Sequence, residues 1–321
     1  MKDPEVAGAA AAADSAAEAR TAARLWFKRF AQMRTGRFIS TRSIVSINIF
    51  VLLVNTYVLI MQLSQSGHLK TEDYFYSPVT EQQAMQMRSV LRVFADAMKN
   101  ASVTFFLCSG TLLGSLRHHG RIPWDDDVDV MVLIEQRQQM EAALKQLEPE
   151  YRLYRFMEWA ALGKWKFFRA DSDAFLLQPW SKFRWPYVDI FFVQGHNASH
   201  LRHAYYGDIY FRRKDLFPLQ LRPYEGMMLP VPCAPGDFMR AEFQDPGFNW
   251  TLCQSRGFSH VMEVPLPHWR QRSLLCSRLA SRFPFVYTAT STADRVTEVL
   301  KVGEKVLREF SFRPPACTGR A

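Results

Sequence analysis

Ser109-Gly110-Thr111-Leu112-Leu113-Gly114-Ser115-Leu116-Arg117, running on to Ile122-Pro123-Trp124-Asp125-Asp126-Asp127-Val128-Asp129-Val130, is the stretch on which the reading of this chain turns. A turn rich in Gly, Ser and Thr is followed by an Arg and then by four acids, two of which alternate with valines. Alternation predicts a strand over 127–133, with Asp127 and Asp129 on one face and Val128 and Val130 on the other. Two like charges on one strand face repel, and burying them without a partner is costly. A hard divalent cation, Mg2+ or Mn2+, relieves both penalties, and a carboxylate-held metal beside a glycine turn is a means of handling nucleotide phosphates. Asp127 and Asp129 are therefore candidate catalytic and metal-ligating residues.

Asp189 is a third informative acid. It is the single charge in the apolar run Tyr187-Val188-Asp189-Ile190-Phe191-Phe192-Val193, where an unpaired carboxylate would cost several kcal/mol. Two readings stand: an ion pair with Arg184 or Lys182, or a neighbouring strand that closes a three-carboxylate site with Asp127 and Asp129. Asp126 has the opposite parity to that pair, and Asp125 lies before the strand, so neither is expected to hold metal. Gly110-Thr111 and Gly114-Ser115 both resemble the turn that offers backbone N–H groups to a phosphate at a helix N-terminus. Arg117 adds a planar fork of donors. These five residues and Trp124 are the candidate substrate-binding set. Lys164 and Lys166 flank Trp165 on one face of a predicted strand, facing either a phosphate or solvent.

The chain has 321 residues and a formal net charge of +9. Residues 1–43 carry eight of the bases and four of the acids, and the remaining excess is spread without runs. No basic stripe of the kind that follows a nucleic acid is present, so nucleic acid is not an expected partner. Ile44 to Leu63 is an apolar run of about 20 residues, the length of a membrane-spanning helix. Bases precede it and none follows before Lys70, which predicts a cytosolic N-terminus and a lumenal C-terminal part. The expected organisation is a basic tail (1–43), a transmembrane signal anchor (44–64), a stem (65–81) and a lumenal catalytic domain (82–321).

Three N-glycosylation acceptors, Asn100, Asn197 and Asn249, lie beyond the run, as do all five cysteines. Cys233, Cys253, Cys276 and Cys317 allow two disulfides in three connectivities, and Cys108 reads as a buried free thiol. The expected setting is the Golgi or endoplasmic reticulum membrane, single-pass type II.

Met87, Val90, Leu91, Phe94 and Met98 recur at helical spacing from Glu81 onwards. Strands are expected at 103–107, 151–157, 165–169, 175–177 and 187–193. Helices are expected at 112–118, 135–147, 237–243 and 296–310.

The full block Ser109-Gly110-Thr111-Leu112-Leu113-Gly114 … Arg117 … Ile122-Pro123-Trp124-Asp125-Asp126-Asp127-Val128-Asp129 closely resembles the LicD family, which includes fukutin and fukutin-related protein. The likeness extends to Val188-Asp189-Ile190-Phe191 and more weakly to Phe217-Pro218, Glu225-Gly226, Val231-Pro232 and Asp237-Phe238, covering roughly residues 85–250. It implies an α/β fold with a mixed sheet, of the nucleotidyltransferase type related to DNA polymerase beta. It also implies transfer of a phosphorylated alcohol, such as ribitol phosphate or phosphocholine, from a CDP-linked donor to a hydroxyl of a glycan or glycoprotein. Carried over position by position, Asp127 and Asp129 become metal ligands and Asp189 a ligand or base. Two other classes stay open: a Golgi glycosyltransferase using Asp127-Val128-Asp129 as an Asp-x-Asp motif for a nucleotide sugar, and an inactive, membrane-anchored glycan-binding protein of the same fold.

Overall fold

A computed structural model of the chain describes residues 48–58, 70–155, 163–172, 175, 180–313 and 317. The chain divides into two units, Met1–His68 and Leu69–Ala321. In the first, residues 48–58 are helical. Among the described residues no helix is long and apolar enough to cross a membrane, and the rest of the expected span at 44–64 lies outside them.

The second unit is built on a mixed seven-stranded sheet with the order β1-β2-β5-β4-β3, extended by β6 and β7 from the end of β5. The strands are β1 (Phe105–Leu107), β2 (Asp129–Leu133), β3 (Tyr151–Arg155), β4 (Trp165–Arg169), β5 (Tyr187–Gly195), β6 (His200–His203) and β7 (Tyr210–Arg212). β2 and β5 are parallel, while the pairs β1/β2, β3/β4 and β4/β5 are antiparallel.

The predicted stripe forms helix α1 (Glu81–Asn100), which buries Met87, Val90, Leu91, Phe94 and Met98. A capping box starts it, with the Thr80 side chain accepting from the Gln83 N–H, so an orphan donor of the first turn is satisfied. Phe94 meets Phe105 and Phe167 on the sheet. Phe106, the next residue of β1, instead meets Phe238 of helix α5 (Pro235–Glu242). Successive strand residues face opposite sides, so α1 and α5 cover opposite faces of the sheet. Helix α3 (Arg137–Lys145) packs beside α1 against β3.

Helix α2 (Ser109–His118) follows β1 directly and is longer at its start than the expected 112–118. Its first residue has φ +48°, an uncommon conformation for a side-chain-bearing residue. Glu242, at the end of α5, holds it there by accepting from both the Ser109 N–H and the Ser109 hydroxyl, each at 2.9 Å. The short α4 (Arg213–Leu216) leads into the hairpin β8 (Gln220–Tyr224) and β9 (Met227–Val231).

Beyond α5 the chain forms two small pairs, β10 (Leu252–Gln254) with β13 (Ser273–Leu275) and β11 (Phe258–Ser259) with β12 (Val264–Pro265). It ends in a three-stranded antiparallel sheet of β14 (Phe285–Ser291), β15 (Val296–Val302) and β16 (Lys305–Phe312). The helix expected over 296–310 is therefore a hairpin. Val296, Thr297, Val299, Val302 and Val306 are β-branched and favour strands, and Gly303 at φ +56° supplies the turn.

Arg222 Nη2 bonds both oxygens of Glu298 at 2.8 and 2.7 Å, and His119 Nε2 lies 2.9 Å from the same carboxylate, which joins this sheet to α2 and β8. Two disulfides, Cys233–Cys317 and Cys253–Cys276, realise one of the three connectivities, and Cys108 is free and buried. Of the other expected elements, residues 156–157 and 176–177 lie outside the described residues, and Phe175 is in no strand.

Burial pushes the Glu242 carboxyl up to about 7, against the two bonds from Ser109 that favour its charge. The folded protein then holds this proton more tightly than the unfolded chain does. The contribution is complete below about pH 4.3, the free glutamate value, and is lost as pH rises towards 7. Between pH 4.5 and 7.5 that loss amounts to roughly 3 kcal/mol at 1.36 kcal/mol per unit. In urea unfolding, wild type should lose about that much stability relative to Glu242→Gln between pH 4.5 and 7.5. Parallel stability curves for the two proteins would refute this assignment.

Candidate active site

The register of β2 against β5 creates the site. Asp129 pairs directly with Asp189 across the parallel ladder, so their side chains share a face, the one opposite α1. β2 begins at Asp129 rather than at the expected Asp127. Asp127 therefore arrives from a loop and is not placed by strand alternation. Its carboxylate still joins the other two: ligand oxygens of Asp127, Asp129 and Asp189 all lie within 4.8 Å of one another. Thr111 at the start of α2 fixes the first residue of β2, its Oγ1 accepting from the Asp129 N–H at 2.8 Å.

Asp189 pairs neither with Arg184 nor with Lys182. Lys166 Nζ lies 2.8 Å from one of its oxygens and Lys164 Nζ 2.9 Å from the other. The two lysines flanking Trp165 thus face the acid cluster, and Lys166 also sits 3.5 Å from the centre of the Tyr187 ring. Tyr187 in turn donates its hydroxyl to Glu263.

The three acids titrate differently. Burial works against the Asp189 anion, but Lys166 and then Lys164 outweigh it and hold the carboxyl below its usual range. Burial pushes Asp127 up to about 7, reinforced by Asp129. Burial and then Asp189 push Asp129 up to about 7 as well. Two buried carboxyls in this state lack positive charge. An all-oxygen donor set with that deficit fits a hard divalent cation.

Asp126 and Asp125 have separate places. Asp126 is fully buried and accepts from Arg256 Nη1 at 3.0 Å and from the N–H groups of His260 and Val261 at 3.2 and 3.3 Å. Its backbone carbonyl takes the Trp185 indole N–H at 2.8 Å. His260 Nδ1 lies 3.1 Å from Asp126 Oδ1, and its Nε2 lies 3.1 Å from Asp127 Oδ2. Both ring nitrogens face carboxylates, an arrangement that suits the doubly protonated ring. Burial alone would lower its pKa, but Asp127 and then Asp126 drive it up to about 10. Asp125, which the sequence does not mark as a metal ligand, joins Asp127 and His260 in a second group of close ligand atoms.

The candidate substrate-binding residues separate. Gly110 and Thr111 occupy the strand-to-helix turn, and a side chain at Gly110 would lie 2.8 Å from Asp125 Oδ2. Gly114 is inside α2, where a Cβ would collide with the Gly120 carbonyl. Ser115 is fully buried and donates to the Pro223 carbonyl at 3.0 Å. Arg117 is committed to the carbonyls of Trp250 and Leu252 at 3.0 and 3.4 Å. Burial lowers its pKa to about 10. Trp124 is buried and donates to the Gln254 carbonyl. Gly114, Ser115, Arg117 and Trp124 are thus taken up by packing and by these bonds, not by a phosphate as expected from the sequence.

Arg256, His260 and Glu263 were not legible as site residues, because they stand alone in an irregular, aromatic-rich stretch with no spacing signal. The three glycosylation acceptors, Asn100, Asn197 and Asn249, are all exposed.

Residues 102–234 match the family model described as LicD/FKTN/FKRP, nucleotidyltransferase domain. A segment of 49 residues is 39% identical to the lipopolysaccharide cholinephosphotransferase LicD of Haemophilus influenzae, covering 15% of this chain and 18% of that protein. A segment of 74 residues is 28% identical to an uncharacterized protein of Rickettsia typhi, covering 23% of each. The chain spans about a quarter or less of the length of these relatives. Among solved structures, ANT(2")-Ia in complex with adenylyl-2"-tobramycin aligns at a TM-score of 0.31 and 12% identity, over 45% of this chain and 67% of that one.

A cation held by Asp127 and Asp129 must displace their protons, so its affinity should rise with pH up to their pKa values of about 7 and level off above them. Calorimetric titration of Mn2+ should show tighter binding at pH 7.5 than at 6.0, with proton release. Asp129→Asn should abolish the heat, and a pH-independent affinity would contradict the cluster's electrostatics.

Proposed function

We propose that this LicD-type domain is a metal-dependent phosphotransferase. It moves a phosphorylated alcohol, ribitol phosphate- or phosphocholine-like, from a CDP-linked donor to a glycan hydroxyl. The observation that carries the reading is the direct pairing of Asp129 with Asp189, which gathers three carboxylates beside the Gly110-Thr111 turn. Asp127, Asp129 and Asp189 would hold Mg2+ or Mn2+. Such a cation, when bound, offsets the charge of the diphosphate and of the departing CMP.

The remaining work falls to the chain's own groups. The first turn of α2, opening at Ser109-Gly110-Thr111, brings a helix N-terminus to the acid cluster, where an anion is favoured. Lys164 and Lys166 keep Asp189 ionised, which suits a ligand and makes it a weak proton acceptor, so we assign it as ligand rather than base. In the transfer, the acceptor hydroxyl oxygen bonds to phosphorus as the bond to the CMP oxygen breaks, and the hydroxyl proton passes to water. Phe191, Tyr205 and Tyr206 pack together near Lys164, which lies 5.5 Å from the Phe191 ring centre. Tyr206 is exposed there and offers a ring face for a base or sugar.

The setting belongs to the same proposal: a single-pass type II protein of the Golgi or endoplasmic reticulum, anchored at 44–64, with the catalytic part lumenal. The apolar run with its basic flank supports it. So do three exposed acceptor asparagines and two disulfides, which persist in oxidising compartments.

Incubating the lumenal part with CDP-ribitol, CDP-choline and UDP-sugars in Mn2+ tests the reading. CMP release from a CDP-linked donor is expected, and Asp127→Asn or Asp129→Asn should lower it at least 100-fold, consistent with loss of a charge-stabilising group. UMP or UDP release without CMP would favour a glycosyltransferase. No release together with unaltered glycan binding in Asp127→Asn would favour an inactive binding protein.

A further inference from the structure

Asp127 lies in a loop, outside any strand, so the sheet does not set where its side chain starts from. The groups that touch it must orient its carboxylate. His260 Nε2 holds Asp127 Oδ2, His260 Nδ1 is held by Asp126, and Arg256 holds Asp126 from the other side. All of these links are short, and Asp126 is fully buried.

His260, Arg256 and Glu263 come from one segment, and all three lie between Cys253 and Cys276, which are joined by a disulfide with a sequence separation of 23. The segment has little regular structure of its own beyond two pairs of two- or three-residue strands. Its base is pinned to the catalytic core. Trp124 donates to the Gln254 carbonyl at 2.9 Å, and Arg117 donates to Trp250 and Leu252. Its far side reaches the lysine cluster, with Glu263 accepting from Tyr187 and lying 3.9 Å from Lys166 Nζ. The whole segment lies beyond residue 234, where the family match ends.

We propose that the disulfide-closed loop Cys253–Cys276 is an integral part of the acid site, with His260 and Arg256 as positioning residues that orient the Asp127 carboxylate for a divalent cation. The inference rests on the reading of Asp127 as a metal ligand. Hydrogen-bond partners of metal-ligating carboxylates set ligand orientation, and their loss commonly costs 10- to 100-fold in affinity or activity. The disulfide shortens the span over which the loop must order itself, so the positioning groups are held before a cation arrives.

Calorimetric Mn2+ titration of the full chain tests this, with folding of each variant checked by its urea midpoint. His260→Ala should weaken Mn2+ binding about 10- to 100-fold. His260→Gln should recover part of the loss, because its amide can still donate to Asp127. Arg256→Ala should weaken binding less, since it acts one link further away. Cys253→Ser/Cys276→Ser should lose as much as His260→Ala, and the combined variant should lose no more, since the changes act through one element. If the cysteine variant unfolds, the His260 pair still decides.

Wild-type affinity in His260→Ala, with binding abolished in Asp127→Asn, would overturn the loop's role and leave the metal site standing. Nitrogen hyperfine coupling in the Mn2+ electron paramagnetic resonance spectrum would also overturn it, by making His260 a direct ligand. No Mn2+ binding by the wild type would remove the reading of Asp127 and this inference together.

Discussion

Much of the second unit answers one constraint: two parallel strands set Asp129 against Asp189 with both carboxylates buried. Like charges at that spacing in a low-dielectric interior repel strongly and are costly to desolvate. The protein answers unevenly. Asp189 receives two lysines, while His260 is divided between Asp126 and Asp127 and Asp129 stays short of positive charge. A site that neutralised all three would be more stable and would have nothing left to offer a cation.

The sheet turns this local imbalance into a directed surface. On the side of α1, the strands bury Phe105, Phe167 and Val132 against its apolar stripe. On the other side the same strands present Asp129, Asp189 and Lys166. The α2 turn meets them there through the Thr111 hydroxyl, and Glu242 clamps the strained residue that opens the helix. The clamp comes from α5, just beyond the family-matched region, and holds a residue near that region's beginning.

Much of this was legible in residues 81–133 and 187–193. A stripe such as Met87-Val90-Leu91-Phe94-Met98 has one physical solution, and a lone acid in Tyr187–Val193 demands a partner. Harder to read were features whose cause lies far away in the chain. The hairpin at 296–312 carries apolar residues that suit either period, and only Gly303 and the β-branched residues favour strands. Gly114-Ser115 resembles a phosphate turn in isolation, yet the Gly120 and Pro223 carbonyls occupy the space it would use. Arg256 and His260 reach Asp126 across 130 and 134 positions, a separation that no local pattern encodes.

The ion pair between Arg222 and Glu298 has a consequence for where this molecule can be cut. Arg222 lies within the family-matched region and is almost fully buried, while its counter-ion comes from β15 near the C-terminus. His119, at the end of α2, leans on the same carboxylate. A fragment ending at residue 234 would therefore keep a buried guanidinium and lose the anion that makes its burial tolerable. Cys233 would be left without Cys317, and Arg117 without its carbonyls. The family-matched stretch is shorter than the segment these contacts tie together, and a recombinant fragment should respect the longer boundary.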